Sequence, residues 1–149
     1  MYKRQALKLA DKGPVIAPPV LSGWAQKASL EIQSWPGIIP AMHWSFGRQE
    51  GVDFYVADAE VGHIHFDGEV HLVMTKAVQK AVIDSGLAEP FRWAANWVQL
   101  PITNELSAQH AQWLFRLAYD RVKGAHETDL LKRVELAGLS AESTTMTTA

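Results

Sequence analysis

The chain has 149 residues, 48% of them hydrophobic and 20% charged, with a formal net charge of −2 and no cysteine. That length suits one domain with a real core, and the missing cysteines exclude a disulfide framework, a thiolate nucleophile and Cys-based zinc or iron–sulfur sites. The near-neutral balance lacks the electrostatic footprint of a general nucleic-acid binder, and no apolar run approaches the roughly 20 residues that span a bilayer.

Residues 1–20 read as an N-terminal arm. Lys3, Arg4, Lys8 and Lys12 stand against Asp11, and Gly13-Pro14 and Pro18-Pro19 break any helix that starts there. The first eight residues carry charge without an apolar stretch, so no signal peptide is expected and a cytoplasmic location is. Ser22 then caps a predicted helix to about Ser34, with Leu21, Trp24, Ala28 and Ile32 as its apolar stripe. Trp35-Pro36-Gly37 ends it, because a residue before proline disfavours the α region.

Three strand candidates follow. Met42, Trp44 and Phe46 alternate with His43 and Ser45; Gly47 to Gly51 reads as a turn; Val52, Phe54 and Val56 alternate with Asp53 and Tyr55. The third candidate is a hairpin around Asp67-Gly68. Thr75 caps a helix to about Ser85, with Val78, Ala81 and Val82 inward and Gly86 as terminator. Asn96 to Ile102 is a short strand whose Pro101 belongs at a sheet edge or where the chain leaves the sheet. Thr103 or Asn104 opens the longest helix, to about Lys123, with Leu106, Trp113, Leu114 and Leu117 buried and Phe115, Tyr119 and Val122 widening the stripe. A turn or two of helix around Leu130 to Leu136 and a low-complexity, disordered end complete a tail over 124–149. The expected fold is a single α+β domain over 21–123, in α-β-β-β-α-β-α order, with helices on one side of a mainly antiparallel sheet.

The chemistry concentrates between Glu60 and His71, where His63, His65 and His71 fall within nine residues. A two-residue loop at Asp67-Gly68 pairs His65 with Val70 and mixes polarity on both faces. A three-residue loop, with Gly68 left-handed in a bulge, pairs His63 with His71 and His65 with Glu69. One face then carries His63, His65, Glu69 and His71, and the other Ile64, Val70, Leu72 and Met74. Because a one-residue slip flips every side chain, the register that segregates polarity is expected. Three imidazoles and a carboxylate on one face suit a general base near neutral pH, a small anionic or phenolic ligand, or a divalent metal; they also suit an ordinary solvated hairpin. His43 faces away from the Met42/Trp44/Phe46 stripe and can join them, and Glu60 can orient one imidazole. His110 and His126 read as surface residues.

In order along the chain, Trp35-Pro36-Gly37, His43-Trp44-Ser45-Phe46-Gly47, Glu60-Val61-Gly62-His63-Ile64-His65, Gly86-Leu87-Ala88-Glu89-Pro90, Asn96-Trp97-Val98 and the Leu114–Tyr119 helix resemble the luciferase-domain family of bacterial proteins and fungal luciferases. The resemblance covers about ninety residues up to Val122 and leaves out arm and tail. It departs from the family at Phe91, where a histidine often follows Glu-Pro, and at Asn96, where a glycine precedes the tryptophan. By motif position it implies His43, Glu60, His63 and His65 as site residues; His71 comes from the hairpin register. It further implies a pocket for a flat phenolic or enolic compound and a dioxygen-adding reaction that needs neither metal nor flavin.

Three readings compete. The first is a cofactor-independent oxygenase or other small-molecule enzyme in which His63 or His65 takes a proton, Glu60 orients the ring, and some of Trp44, Tyr55, Phe91, Trp93 and Trp97 wall the pocket beside His71. The second is a non-enzymatic ligand or protein-interaction module, similar in its string of elements to small bacterial MmcQ/YjbR-type domains; assembly into homo-oligomers stays open, and nucleic acid is disfavoured by charge. The third is a metal protein using His63, His65, His71 and Glu69.

Overall fold

From Gly23 onward the chain forms α1 (Gly23–Gln33), β1 (Ile38–Ser45), β2 (Arg48–Val56), β3 (Ala59–His65), β4 (Glu69–Val73), α2 (Lys76–Asp84), β5 (Glu89–Pro90), β6 (Trp97–Pro101), α3 (Glu105–Val122) and α4 (Glu127–Thr147). The computed structural model describes the backbone of residues 17–147 and the side chains of residues 17–139. The expected arm over 1–20 therefore falls mostly outside the described residues, as do the side chains of the end of the tail. The strands form one six-stranded sheet in the order β1-β2-β3-β4-β6-β5, antiparallel at every junction. This is the α+β architecture expected from the sequence.

The two faces of the sheet differ in kind. Val52, Phe54, Ile64, Val70, Leu72, Val98 and Leu100 point to the face on which α1 and α3 lie, and α2 and α4 close the same core through Val78, Val82, Leu130 and Val134. Phe115 of α3 meets Phe54 edge to face, with ring centroids 5.3 Å apart. Gly62 makes this approach feasible: a Cβ there would lie 2.6 Å from the His71 carbonyl oxygen, 2.7 Å from Leu72 Cδ2 and 3.0 Å from Phe115 Cε1. Asn104 caps α3 by accepting from the Ser107 backbone N–H at 2.8 Å, and Tyr119 donates to the Pro36 carbonyl, tying the helix to the Trp35-Pro36-Gly37 turn.

Several local expectations are corrected. The β1–β2 turn is the two-residue Phe46-Gly47, both at positive φ, so residues 48–51 belong to β2 and Phe46 stands fully exposed. Trp44 and Trp24 are also exposed; α1 buries Ala25, Ala28, Ser29 and Ile32, and Trp24 lies beside Lys27 at the surface. Leu106 in the first turn of α3 is exposed, while Ala108 and Ala111 take the inward positions next to the sheet. Residues 89–90, which fall between the predicted helix and strand, add a short edge strand. The helix after Gly124 is longer than a turn or two: α4 runs 21 residues, anchored by Leu130 and Val134 and packed on α2.

Candidate active site

The face of the sheet opposite α1 and α3 is built by register. β3 pairs with β4 as His63↔His71 and Ile64↔Val70, the bulged hairpin, with Gly68 at φ +89° donating to the His65 carbonyl. His63, His65, Glu69 and His71 consequently share one face. β2 brings Asp53 opposite His63, and β1 brings His43 opposite Gly51. A shift in the β2–β3 ladder pairs Phe54 with Gly62 but Tyr55 with Glu60, leaving Val61 as an extra residue. In a regular strand residues 60 and 63 would point to opposite faces. The bulge returns Glu60 to the histidine face.

There the side chains pack densely. Glu60 Oε2 lies 2.8 Å from His63 Nδ1, and His63 Nε2 lies 3.0 Å from His71 Nδ1. His43 Nδ1 lies 2.7 Å from Asp53 Oδ1, His63 Nδ1 is 3.7 Å from the same oxygen, and Tyr55 Oη donates to Asp53 Oδ2 at 3.3 Å. The His43 and His63 rings stack at 3.9 Å, and His65 stands edge-on to both at 5.0 Å. His43, Asp53, Glu60, His63 and His71 are all buried. His65 is partly exposed, with its Nδ1 3.4 Å from Glu50. Burial, then the neighbouring His43, holds the His65 pKa below the ordinary imidazole value, against smaller opposing effects of Asp67 and Glu50.

With Glu60 ionised, the contacts order the protons along one line. A carboxylate accepts only, so His63 donates from Nδ1 to Glu60 and presents a lone pair at Nε2. His71 must then donate from Nδ1 to His63, which leaves the lone pair of His71 on Nε2. That nitrogen faces Glu69, whose Oε1 is 3.9 Å away. Glu69 and Gln99, the cross-strand partner of His71, both line a surface cleft of about 750 Å3 that extends along Leu87–Pro90 to Ser107 and His110. His110 is thus a cleft residue, its Nε2 2.6 Å from the Leu87 carbonyl oxygen.

Of the residues singled out in the sequence, His43, Glu60, His63, His65 and His71 come together. Phe91 lies against His71, with centroids 4.3 Å apart, and Trp97 is buried beside His63 at 5.4 Å. Tyr55 is buried on the same face, whereas Trp44 and Trp93 are exposed. None of these five aromatics lines the cleft beside Glu69. Glu69 lies near His71 but apart from the other imidazoles; one nitrogen each of His43, His63 and His65 lies within 4.8 Å of the other two. Asp53 and Glu50 were not read as site residues. Asp53 was legible in principle, because the inward run Val52, Phe54, Val56 places it on the polar face; Glu50 was hidden by the misplaced turn.

Residues 58–118 match the Luciferase domain family. The matched segment runs from the start of β3 into α3 and contains Glu60, His63, His65 and His71, while His43 and Asp53 precede it. Neither a curated protein nor a solved structure matches the chain. One of the two departures from the family pattern has a backbone explanation: Asn96 has φ +66°, a left-handed conformation that glycine adopts freely and asparagine tolerates better than other residues. At the other departure, Phe91 supplies an apolar ring against His71.

Proposed function

We propose that the protein is a small-molecule enzyme that binds an acidic phenol or enol in the cleft beside Glu69 and Gln99 and removes its proton through His71. The observation that carries this reading is the buried line Glu60–His63–His71, which turns the Nε2 of His71 toward Glu69, a residue of the cleft wall. His63 itself is fully buried with both ring nitrogens engaged, so it positions His71 and does not meet the substrate. The cleft volume lies within the range that holds a compound of several rings. The substrate O–H proton passes to His71 Nε2, the electron-rich anion adds dioxygen at carbon, and the resulting peroxide anion recovers the proton from His71. Membership of the matched segment in the Luciferase domain supports the oxygen step.

The test is dioxygen uptake by the purified protein across a panel of hydroxylated aryl-pyrones and simple phenols. Uptake with at least one hydroxylated compound, reduced about 100-fold or more in His71→Gln and unchanged in His126→Gln, is the expected result. Absence of uptake across the panel, or full activity in His71→Gln, refutes it.

A further inference from the structure

Three imidazoles in the cluster share one arrangement. His43 Nδ1 faces Asp53 at 2.7 Å, His63 Nδ1 faces Glu60 at 2.8 Å, and His65 Nδ1 faces Glu50 at 3.4 Å. Of the three, only the His63–Glu60 contact has hydrogen-bond geometry, with Nδ1 donating and a lone pair left at Nε2; at His43 and His65 a carboxylate oxygen stands beside Nδ1 without that alignment. The His63–Glu60 contact is the arrangement in which histidine binds a metal, with the second ring nitrogen donating to a carboxylate that sets the tautomer and raises the basicity of the ligand. Both ring nitrogens of His43 and the Nε2 of His65 are buried and have no hydrogen-bond partner among the described residues. A buried polar atom without a partner costs about 1–3 kcal/mol, so such atoms ask for an explanation.

We infer that His43, His63 and His65 form a binding site for a divalent first-row transition metal such as zinc, cobalt or iron, with Asp53, Glu60 and Glu50 as the carboxylates behind the ligands. One nitrogen from each ring already lies within 4.8 Å of the other two. Ligands at metal–nitrogen distances of about 2.0–2.1 Å stand about 3.0–3.4 Å apart, so binding requires the stacked His43 and His63 rings to turn out of their near-parallel planes as well as to draw together. Neutral imidazole suits these metals, and three histidines leave coordination positions open for an oxygen ligand. The strands supply the rigidity: the ligands come from β1 and β3, joined through β2 by the His43↔Gly51 and Gly51↔His65 pairs. Binding takes the nitrogen of His63 that otherwise accepts from His71, so the metal-loaded site and the Glu60–His63–His71 line are alternative states of the cluster. The site shares His63 and His65 with the hairpin set of His63, His65, His71 and Glu69 but takes its third imidazole from His43 of β1 in place of His71. It does not rest on the proposed oxygenase reaction, and its test needs no substrate.

The experiment is titration of the chelator-treated, full-length protein with Co2+, followed by visible absorption, with zinc competition to confirm the site. One equivalent of Co2+ giving ligand-field bands that zinc abolishes is expected. His65→Gln, at the rim, and His43→Gln, in the interior, should each weaken binding at least tenfold, and Asp53→Asn by about tenfold to a hundredfold. Circular dichroism identifies any variant that fails to fold, and the partly exposed His65 keeps the test open if His43→Gln does. His110→Gln and His126→Gln should leave the bands unchanged. The inference is overturned if no ligand-field bands appear at millimolar Co2+, or if His65→Gln binds as tightly as the unaltered protein. Loss of turnover with intact Co2+ bands would count against the oxygenase reading alone.

Discussion

Gly62→Ala tests the packing that holds the site together. The added Cβ would stand 2.6 Å from the His71 carbonyl oxygen, a backbone atom in the middle of β4, and 2.7 Å from Leu72 Cδ2. Neither the β3–β4 ladder nor the fully buried Leu72 and Phe115 can yield cheaply, so overpacking costs about 1–3 kcal/mol, at the upper end where backbone is involved. Relief of glycine's entropy cost returns about 0.5–1 kcal/mol, which leaves a net loss of about 1–2 kcal/mol. For a chain of this size, that lowers Tm by about 2–8 °C, read by circular dichroism. Gly138→Ala is the control of opposite sign, because its Cβ would meet Ser85 at 3.4 Å within α4, an ordinary contact, and alanine favours the helix by up to about 1 kcal/mol. A Gly62→Ala protein that melts at or above the unaltered temperature would refute the close approach of α3 to the sheet.

Two further outcomes follow from the site. Glu60→Gln keeps the shape but can turn an amide N–H toward His63 Nδ1 and reverse the tautomer line, so kcat should fall about 100-fold or more with little change in KM; equal kcat would remove Glu60 from the relay. Glu69 has a pKa raised by partial burial and then by Asp67 and Glu89, so its folded-state value exceeds its unfolded one. Its contribution to stability is present below the unfolded value and lost as pH rises through the folded value. Glu69→Gln should therefore melt slightly higher than the unaltered protein at pH 7, and that gain should vanish below about pH 4; a lower melting temperature at pH 7 would contradict the assignment, since solvent exposure keeps the effect small in either direction.

Elements whose signals are local were legible in the sequence. Thr75 and Asn104 act as caps where the sequence places them, and Gly68 sets the hairpin register that brings His63 opposite His71. What the sequence hides depends on irregular pairing between strands. Period-two reading puts Glu60 and His63 on opposite faces, and only the extra residue Val61 reunites them. The tight Phe46-Gly47 turn was masked by Gly51, which looks like a turn residue but lies in a bulged strand. Trp44 and Leu106 follow apolar periodicity yet are exposed, because a strand end and a first helical turn overrun the core they pattern for. Length of α4 is set by contact with α2, a tertiary effect that low sequence complexity does not announce.

On the proposed function, the substrate is held as an anion, with its proton on His71. A hydroxylated aryl-pyrone whose neutral and ionised forms absorb at different wavelengths reports this directly when bound anaerobically at a pH below its solution pKa. Binding to the unaltered protein should give the anion's absorption band, and binding to His71→Gln the neutral band. A neutral spectrum in the unaltered complex, or an anion band that survives His71→Gln, would contradict it.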